Sequence, residues 1–389
     1  MSDLNLNVAM IGPRKCGKTS VLSIMLAEVE NFIARLNTNP NVQKYCFPEI
    51  KADSFCIETL KSSYNDLKSI AIRNVIKDGV DVILGTDTPN IYNIDLSVCG
   101  VLTTISFHDF PGGYFLPESH DSITKKEERL KDCFEVFAKA DVIVLCIDVP
   151  SQITYPNPQK KAMYASYTKY ITKLIQENAP KESANKLRKT IMVLPIKCEG
   201  AILDTTPNSY DDSYTQAINP DKNENLYKSI KNLYNDLFTY LESDTVADSF
   251  FLPVITMGCV KATGVQYDEI SGSTCISFEP VIKGRQLKYH QCNSSSLLAL
   301  CLWSAEAIIT QKYIANSSFW EKIKAAFKGR WPTQWFRDQL LKECSLHRVY
   351  WDYISTQTDY ANLSDEAKQF CEELRRKADT QPFTGCRLI

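Results

Sequence analysis

One short segment near the start of the chain constrains its fold more than any other part of the sequence. The segment reads Gly12-Pro13-Arg14-Lys15-Cys16-Gly17-Lys18-Thr19. A strand-like apolar run, 4–11, precedes it, and apolar residues recur at three- and four-residue steps after it, as on one face of a helix. A glycine-permitted turn between a strand and a helix directs backbone N–H groups to one place, beside the positive end of the helix dipole. The spacing G-x-x-x-x-G-K-T therefore predicts a loop that binds the phosphates of a nucleotide.

Each part of this loop has an expected role in binding. All residues from 12 to 19, and Ser20 after them, are predicted to contact the nucleotide. Lys18 would reach the β- and γ-phosphates and take part in catalysis, and the Thr19 hydroxyl would ligate Mg²⁺. Arg14 and Lys15 are long enough to reach the γ-phosphate, so Arg14 is also a candidate catalytic residue. The alternative for both is a solvated side chain.

The composition limits the class of protein. The 389 residues carry a net charge of -2 and 44% of them are hydrophobic, which favours a large core and gives no sign of nucleic-acid binding. None of the 14 cysteines forms a C-x-x-C pair, so we predict neither a zinc site nor a disulfide framework. No window approaches the ~18 apolar residues of a membrane span. We expect a cytoplasmic protein with no transmembrane segment.

Strand-like and helical patterns alternate along most of the chain. The alternation predicts an α/β fold in which helices flank a mostly parallel sheet of about six strands. Two neighbouring runs, 90–98 and 101–107, predict one antiparallel pair. We assign residues 1–312 to this domain, with a helical insertion at 37–85 and a β-like insertion at 264–292.

The remaining residues, 313–389, are predicted to form a helical C-terminal extension. All five tryptophans of the chain lie between Trp303 and Trp351. Basic and aromatic residues share one helical stretch there, which favours packing against the first domain. Peripheral membrane contact or a partner groove is the alternative. The last residues, from Cys386, have the C-a-a-X form without a polybasic run, so we do not expect lipidation.

A second constellation follows the apolar strand 101–107 and reads Asp109-Phe110-Pro111-Gly112. A carboxylate at a strand end can hold Mg²⁺, so Asp109 is predicted as a metal-binding residue. The Gly112 N–H can meet a γ-phosphate and sense its loss, which makes Gly112 a candidate catalytic residue. An ordinary turn is the alternative.

A third constellation follows the strand 190–196 and contains Lys197 and Glu199. The aliphatic stem of Lys197 would cover a nucleobase, and Glu199 would accept hydrogen bonds from N1–H and the exocyclic amine of guanine. The alternative is an exposed, charged strand end. Further along, Gly258 and Cys259 follow another strand and are candidates for backbone contacts to the base.

In this order the three constellations resemble the motifs of TRAFAC-class P-loop GTPases, the class that contains Ras-like and heterotrimeric Gα proteins. The resemblance covers residues 4–312, and its finer texture is similar to bacterial double-GTPase and GTPase-associated conflict-system proteins. It implies a Ras-like P-loop NTPase fold that binds GTP with Mg²⁺ and hydrolyses it slowly to GDP. It also implies switch loops that contact a protein partner or another GTPase of the same family.

The resemblance implies one further metal-binding and catalytic residue, a threonine in the first switch loop. Thr86 is our first choice and Thr88 the second. Two positions depart from the family pattern, because Ile196 stands where the family has Asn and Glu199 where it has Asp. These departures leave ATP as an alternative nucleotide, and with it a P-loop ATPase or kinase.

A third departure concerns hydrolysis. Gly113 occupies the place of the glutamine that orients water in Ras-like members. Hydrolysis is therefore expected to be slow, or to use another group such as His108, Glu118 or His120. A non-catalytic module that binds a nucleotide for structural reasons is the other alternative.

Overall fold

The computed structural model describes residues 4–13, 16–39, 48–52, 58–62, 89–98, 101–114, 131, 133–157, 161–178, 189–203, 218–243, 247–256, 260–267, 274–280, 282–283, 286–287, 293–313, 332–357, 365–380 and 383–389. The strands are β1 (Leu4–Ile11), β2 (Glu49–Ala52), β3 (Asn90–Val98), β4 (Val101–Asp109), β5 (Val142–Asp148), β6 (Lys189–Ile196), β7 (Ala247–Phe251), β8 (Val260–Tyr267), β9 (Thr274–Pro280), β10 (Ile282–Lys283), β11 (Gln286–Leu287) and β12 (Arg387–Leu388). The helices are α1 (Lys18–Thr38), α2 (58–62), α3 (133–139), α4 (Lys161–Asn178), α5 (Glu199–Ile202), α6 (Pro220–Leu233), α7 (Asn235–Leu241), α8 (Ser295–Tyr313), α9 (Pro332–Glu343), α10 (His347–Gln357) and α11 (Asp365–Thr380).

One large sheet has the strand order β12-β7-β6-β5-β1-β4-β3-β2. The central strand β1 runs parallel to β4 and β5, and β6 and β7 continue the parallel part. The pairs β3–β4, β2–β3 and β12–β7 are antiparallel. The predicted α/β fold with a mostly parallel sheet is confirmed, and so is the predicted antiparallel pair. The sheet has 8 strands instead of about six.

Helices cover both faces of this sheet. Every residue of β5 is buried, as expected for a nearly continuous apolar run in a parallel sheet. Successive side chains of β5 alternate between the faces. Val144 and Cys146 join the core that includes α1, α8 and α9, whereas Ile143 and Leu145 join the core that includes α3, α4, α6 and α7. Two separate apolar layers therefore fix the central strands.

The carboxyl ends of the parallel strands meet at one edge of the sheet. The register pairs Met10 of β1 with Asp109 of β4, and Asp148 of β5 with Ile196 of β6. Open α/β sheets bind ligands at this edge, beyond the ends of the strands. The sheet thus brings the segments that carry the three predicted constellations close together.

The prediction of a helical insertion over residues 37–85 is wrong at residues 49–52. Residues 49–52 form β2, which pairs antiparallel with β3, Glu49 opposite Ser97. The backbone of β3 would otherwise be an unpaired sheet edge, and this long-range pairing overrides a local helical pattern. Residues 58–62 are helical, and 53–57 and 63–88 lie outside the described residues.

The C-terminal part packs against the same core as the phosphate loop helix. Phe336 of α9 lies against Phe32 of α1, with ring centroids 5.9 Å apart. The predicted helical extension also ends differently, because Arg387–Leu388 pairs with β7 as the last strand of the sheet. The predicted boundary after residue 312 falls at the end of α8 and stays a prediction. Among the described helices, none is both long and apolar enough to cross a membrane.

Candidate functional site

Two glycines shape the loop between β1 and α1. Gly17 has φ 107°, a left-handed conformation that L side chains rarely adopt. A Cβ atom on Gly12 would lie 2.8 Å from both Cys16 Sγ and Cys146 Cβ. Gly12 therefore lets the loop lie directly on β5, and Gly17 lets it turn into α1. Ser20 follows in the first turn of that helix.

Lys18 is buried at the base of the loop. Its ammonium group donates to the carbonyl oxygens of Gly12 and Pro13, both at 3.4 Å. Its Nζ also lies 3.8 Å from Asp109 Oδ1, and the two side chains are 5% and 0% exposed. Burial alone would lower the pKa of Lys18, but the neighbouring Cys16 and Asp109 raise it. The result is a charged ammonium group held by three long contacts inside the loop.

The two predicted metal-binding residues within the described part of the chain contact each other. The Thr19 hydroxyl donates to Asp109 Oδ2 at 2.7 Å. The other oxygen, Asp109 Oδ1, is buried and makes no hydrogen bond to a described residue, although Lys18 Nζ lies 3.8 Å away. A hydroxyl and a carboxylate with an unsatisfied oxygen are ligands that suit Mg²⁺. The described residues contain no cluster of three or more His, Cys, Asp or Glu side chains for a metal, so phosphates and water would supply the remaining ligands.

The segment after β4 turns sharply. Residues Gly112–Tyr114 form a single 3-10 turn, in which the Tyr114 N–H donates to Pro111 O at 3.0 Å. Phe110 anchors this segment by packing on Phe137, with ring centroids 5.6 Å apart. Adjacent residues of a strand point to opposite faces, so His108 faces away from Asp109 and from the phosphate loop. His108 is therefore a poor candidate for orienting water.

Lys197 reaches the phosphate loop from the end of β6. A Cβ atom on Gly17 would lie 3.7 Å from Lys197 Cε and 3.3 Å from Ile196 Cγ2. The aliphatic stem of Lys197 therefore crosses the loop beside Gly17. The backbone of Lys197 has φ 57°, a left-handed value that is uncommon for a residue other than glycine.

Asp148 is a site residue that the sequence reasoning did not identify. Its Oδ1 lies 3.7 Å from Lys197 Nζ, and its Oδ2 accepts a hydrogen bond of 2.7 Å from the Ser151 hydroxyl. Burial raises the pKa of Asp148, whereas Lys197 and Ser151 act in the opposite direction. The available signal was an acidic residue at the end of an otherwise apolar strand, whereas Asp109 was predicted from its Asp-x-x-Gly motif.

Glu199 is buried, with 6% of its surface exposed. Its Oε1 accepts hydrogen bonds from the Thr256 N–H at 3.0 Å and the Thr256 hydroxyl at 3.5 Å. Cys198 contributes to the same junction, because its thiol lies 3.6 and 3.5 Å from the carbonyl oxygens of Pro195 and Val254, which share its single S–H donor. These contacts join the end of β6 to the segment after β7, and Glu199 is not an exposed strand-end charge.

Several predicted site residues lie outside the described residues. They are Arg14, Lys15, Thr86, Gly258 and Cys259. The same holds for Thr88, Glu118 and His120. Their roles remain predictions.

Comparisons with known proteins leave the family of this chain open. No family model and no curated protein matches the sequence. Among solved structures, the septin GTPase domain from Chlamydomonas reinhardtii is 11% identical, with a TM-score of 0.25 and coverage of 82% of this chain and 99% of that chain. A TM-score this low assigns neither a family nor a function. The finer resemblance to bacterial conflict-system proteins gains no support from these matches.

Proposed function

We propose that this protein binds GTP with Mg²⁺, hydrolyses it slowly, and acts as a switch whose loops contact a protein partner. The observation that carries this proposal is the meeting of two groups of side chains around one loop. Lys18, Thr19 and Asp109 contact one another where the loop enters α1. The stem of Lys197 crosses the loop beside Gly17, and Glu199, two residues further along the chain, is held by Thr256. Their chemistry matches the two ends of a nucleoside triphosphate.

The phosphate end supports binding of a highly charged group. Lys18 contacts two carbonyl oxygens at 3.4 Å, which is longer than a typical N–H···O hydrogen bond. Phosphate oxygens carry full negative charge and form stronger, shorter bonds with an ammonium group. A triphosphate in the loop would therefore draw Lys18 away from its present partners.

Thr19 and Asp109 are the described residues that fit Mg²⁺. When bound with the triphosphate, Mg²⁺ supplies positive charge to the β- and γ-phosphate oxygens. Thr19 would give its hydroxyl oxygen to the metal. Asp109, which already accepts from Thr19, would hold the metal or one of its waters.

The base end supports guanine over adenine. Thr256 donates to Glu199 and orients its carboxylate, which is an acceptor for the N1–H and amine of guanine. Adenine has no N1–H, so it would not give Glu199 the donor that guanine offers. Lys197 would cover one face of the base with its stem. Ile196 is buried and apolar and adds no polar contact to a base.

Turnover by the isolated protein is expected to be slow. Gly113 offers no side chain to orient water, and positioning and proton-handling groups accelerate hydrolysis by roughly two to four orders of magnitude. We therefore expect the isolated protein to make fewer than about one turnover per minute. An arginine supplied by a partner can raise the hydrolysis rate by roughly three to five orders of magnitude. Phosphate release from GTP measures this rate. Several turnovers per second by the purified protein would contradict a partner-dependent switch.

A titration with fluorescently labelled GTP, GDP and ATP, each with Mg²⁺ and with EDTA, tests the proposal. We expect GTP and GDP to bind more tightly than ATP, and GTP to lose affinity when Mg²⁺ is removed. Tighter binding of ATP would favour an ATPase. Binding of GTP with no hydrolysis, even over days, would favour a non-catalytic module. The absence of binding would reject the proposed function.

A further inference from the structure

We infer that Asp148 is a positioning residue that holds Lys197 over the phosphate loop, so that nucleotide affinity depends on a carboxylate supplied by β5. The inference rests on the proposed function, because it concerns the same site. It adds a residue from a strand that carries none of the predicted base contacts.

Lys197 needs a partner to keep one position. A lysine side chain has a flexible four-carbon stem, so the stem alone does not fix the position of the ammonium group. The left-handed φ of 57° sets only the direction in which the stem leaves the backbone. Its neighbours in sequence offer no charge, because Ile196 is apolar and the Cys198 thiol is bonded to backbone carbonyl oxygens. An opposite charge nearby fixes the ammonium group and so the line of the stem across Gly17.

Asp148 is built to provide that charge. The strand register places it beside Ile196, one residue before Lys197. Its side chain is 5% exposed and lies 3.7 Å from the Lys197 ammonium nitrogen. Ser151 fixes the second carboxylate oxygen at 2.7 Å. Ser151 is itself buried in the turn Pro150–Thr154, so the carboxylate has little freedom to rotate.

The turn that carries Ser151 is anchored in the core. The Tyr234 hydroxyl donates to Gln152 Oε1 at 2.9 Å, and both side chains are buried. The Tyr155 N–H donates to Pro150 O at 2.8 Å and closes the turn. The turn is therefore fixed in the core, and its Ser151 hydroxyl in turn fixes the carboxylate of Asp148.

The charge of the ligand decides how the two lysines of the site respond to it. Lys18 and Lys197 have similar surroundings, because each ammonium nitrogen lies near an aspartate at the end of a neighbouring strand. The distance is 3.8 Å from Lys18 to Asp109 and 3.7 Å from Lys197 to Asp148. Phosphates are anionic and compete with Asp109 for Lys18, but a nucleobase is neutral and does not compete with Asp148 for Lys197. The Lys197–Asp148 pair should therefore persist in the nucleotide complex and contribute equally to GDP and GTP.

A double-mutant cycle on the full chain tests this inference. The proteins are wild type, Asp148→Asn, Lys197→Met and the double variant, and the probes are labelled GDP and labelled GTP. We expect Asp148→Asn to raise the Kd of both nucleotides about tenfold, roughly the value of one charge-assisted contact. Lys197→Met should have a similar effect, and the double variant should be no weaker than Lys197→Met alone.

Asp141→Asn is the matched control, because Asp141 precedes the opposite end of β5 and accepts a hydrogen bond from the Asn7 N–H at 2.8 Å. It should leave the Kd unchanged. If Asp148→Asn does not fold, Ser151→Ala takes its place, because this variant removes the hydrogen bond to the Asp148 carboxylate and leaves the charge. We expect Ser151→Ala to raise the Kd several-fold. Unchanged affinity in the Asp148 and Ser151 variants, or additive losses in the double variant, would overturn the inference while the proposed function stands. Absence of wild-type binding would overturn both.

Discussion

The two ends of the candidate site are built in different ways. The phosphate end consists of one continuous segment, 12–19, completed by Asp109 from β4. The base end consists of Lys197 and Glu199, whose side chains are held by Asp148 of β5 and by Thr256 of the segment after β7. Phosphates carry charge and are bound by backbone N–H groups and a lysine that one loop can supply. A base is read by side chains whose positions depend on tertiary contacts.

The largest effect should follow from a change at the phosphate end. Lys18→Ala removes the buried ammonium group that would contact the β- and γ-phosphates, and we expect at least a ~100-fold loss of GTP affinity, about 3 kcal/mol. Binding of labelled GTP measures it. Lys51→Ala is the control, because Lys51 lies on β2 and is 69% exposed. A folded Lys18→Ala protein with wild-type affinity would show that the loop does not bind phosphates.

The base end should affect selectivity more than affinity. Glu199→Gln replaces a pure acceptor with an amide, and we expect GTP binding to weaken about tenfold with little change for ATP. The ratio of the two Kd values reports this selectivity. Glu49→Gln, at an exposed carboxylate on β2, serves as the control. Equal affinities for GTP and ATP in the wild type would remove the distinction between the two ends.

An effect of about the same size on GTP affinity should separate the metal from the phosphates. Thr19→Ala removes the hydroxyl that donates to Asp109 at 2.7 Å and would ligate Mg²⁺. We expect GTP affinity to fall by about tenfold in Mg²⁺, the value of one strong polar contact, and to change little in EDTA. Isothermal titration in both buffers makes the measurement. An equal loss with and without Mg²⁺ would mean that the hydroxyl does not act through the metal.

The smallest effect on nucleotide binding is expected from Glu28, which lies on α1 away from the loop. Its carboxylate accepts a hydrogen bond of 2.6 Å from the N–H of Ser295, the first residue of α8. Burial raises the pKa of Glu28 from 4.5 to about 7, although the bonds from Ser295 and Ser294 oppose the shift. The folded protein thus favours the protonated acid. The resulting stability is complete below pH 4.5 and is lost as the pH rises through about 7.

The free energy of unfolding should therefore fall between about pH 4.5 and about pH 7, by at most about 3 kcal/mol from this group. Glu28→Gln should flatten this part of the profile and leave the GTP:ATP selectivity unchanged. Urea unfolding at a series of pH values makes the measurement. Glu30→Gln, on the same helix beside Lys61, is the control and should keep the wild-type profile. An unaltered slope in Glu28→Gln would exclude Glu28 as its source.

The same division explains what could be predicted from the sequence. Local patterns predicted β1, the loop, α1 and the buried strand β5, because period and turn chemistry are written in adjacent residues. Asp148 was not predicted as a site residue, since its contact with Lys197 depends on β5 and β6 being neighbours. Contacts between distant segments also explain the strand at 49–52, predicted as helix, and the last strand, Arg387–Leu388, which pairs with β7.

The central claim is that the two groups of side chains hold the two ends of one nucleotide. A crystal structure with a non-hydrolysable GTP analogue and Mg²⁺ tests it most directly. We expect Lys18 to leave Asp109 for the phosphates, the metal to replace the 2.7 Å bond between Thr19 and Asp109, and the base to lie against Lys197 and Glu199. A nucleotide bound elsewhere on the protein, or one whose base lies away from Glu199, would contradict the claim.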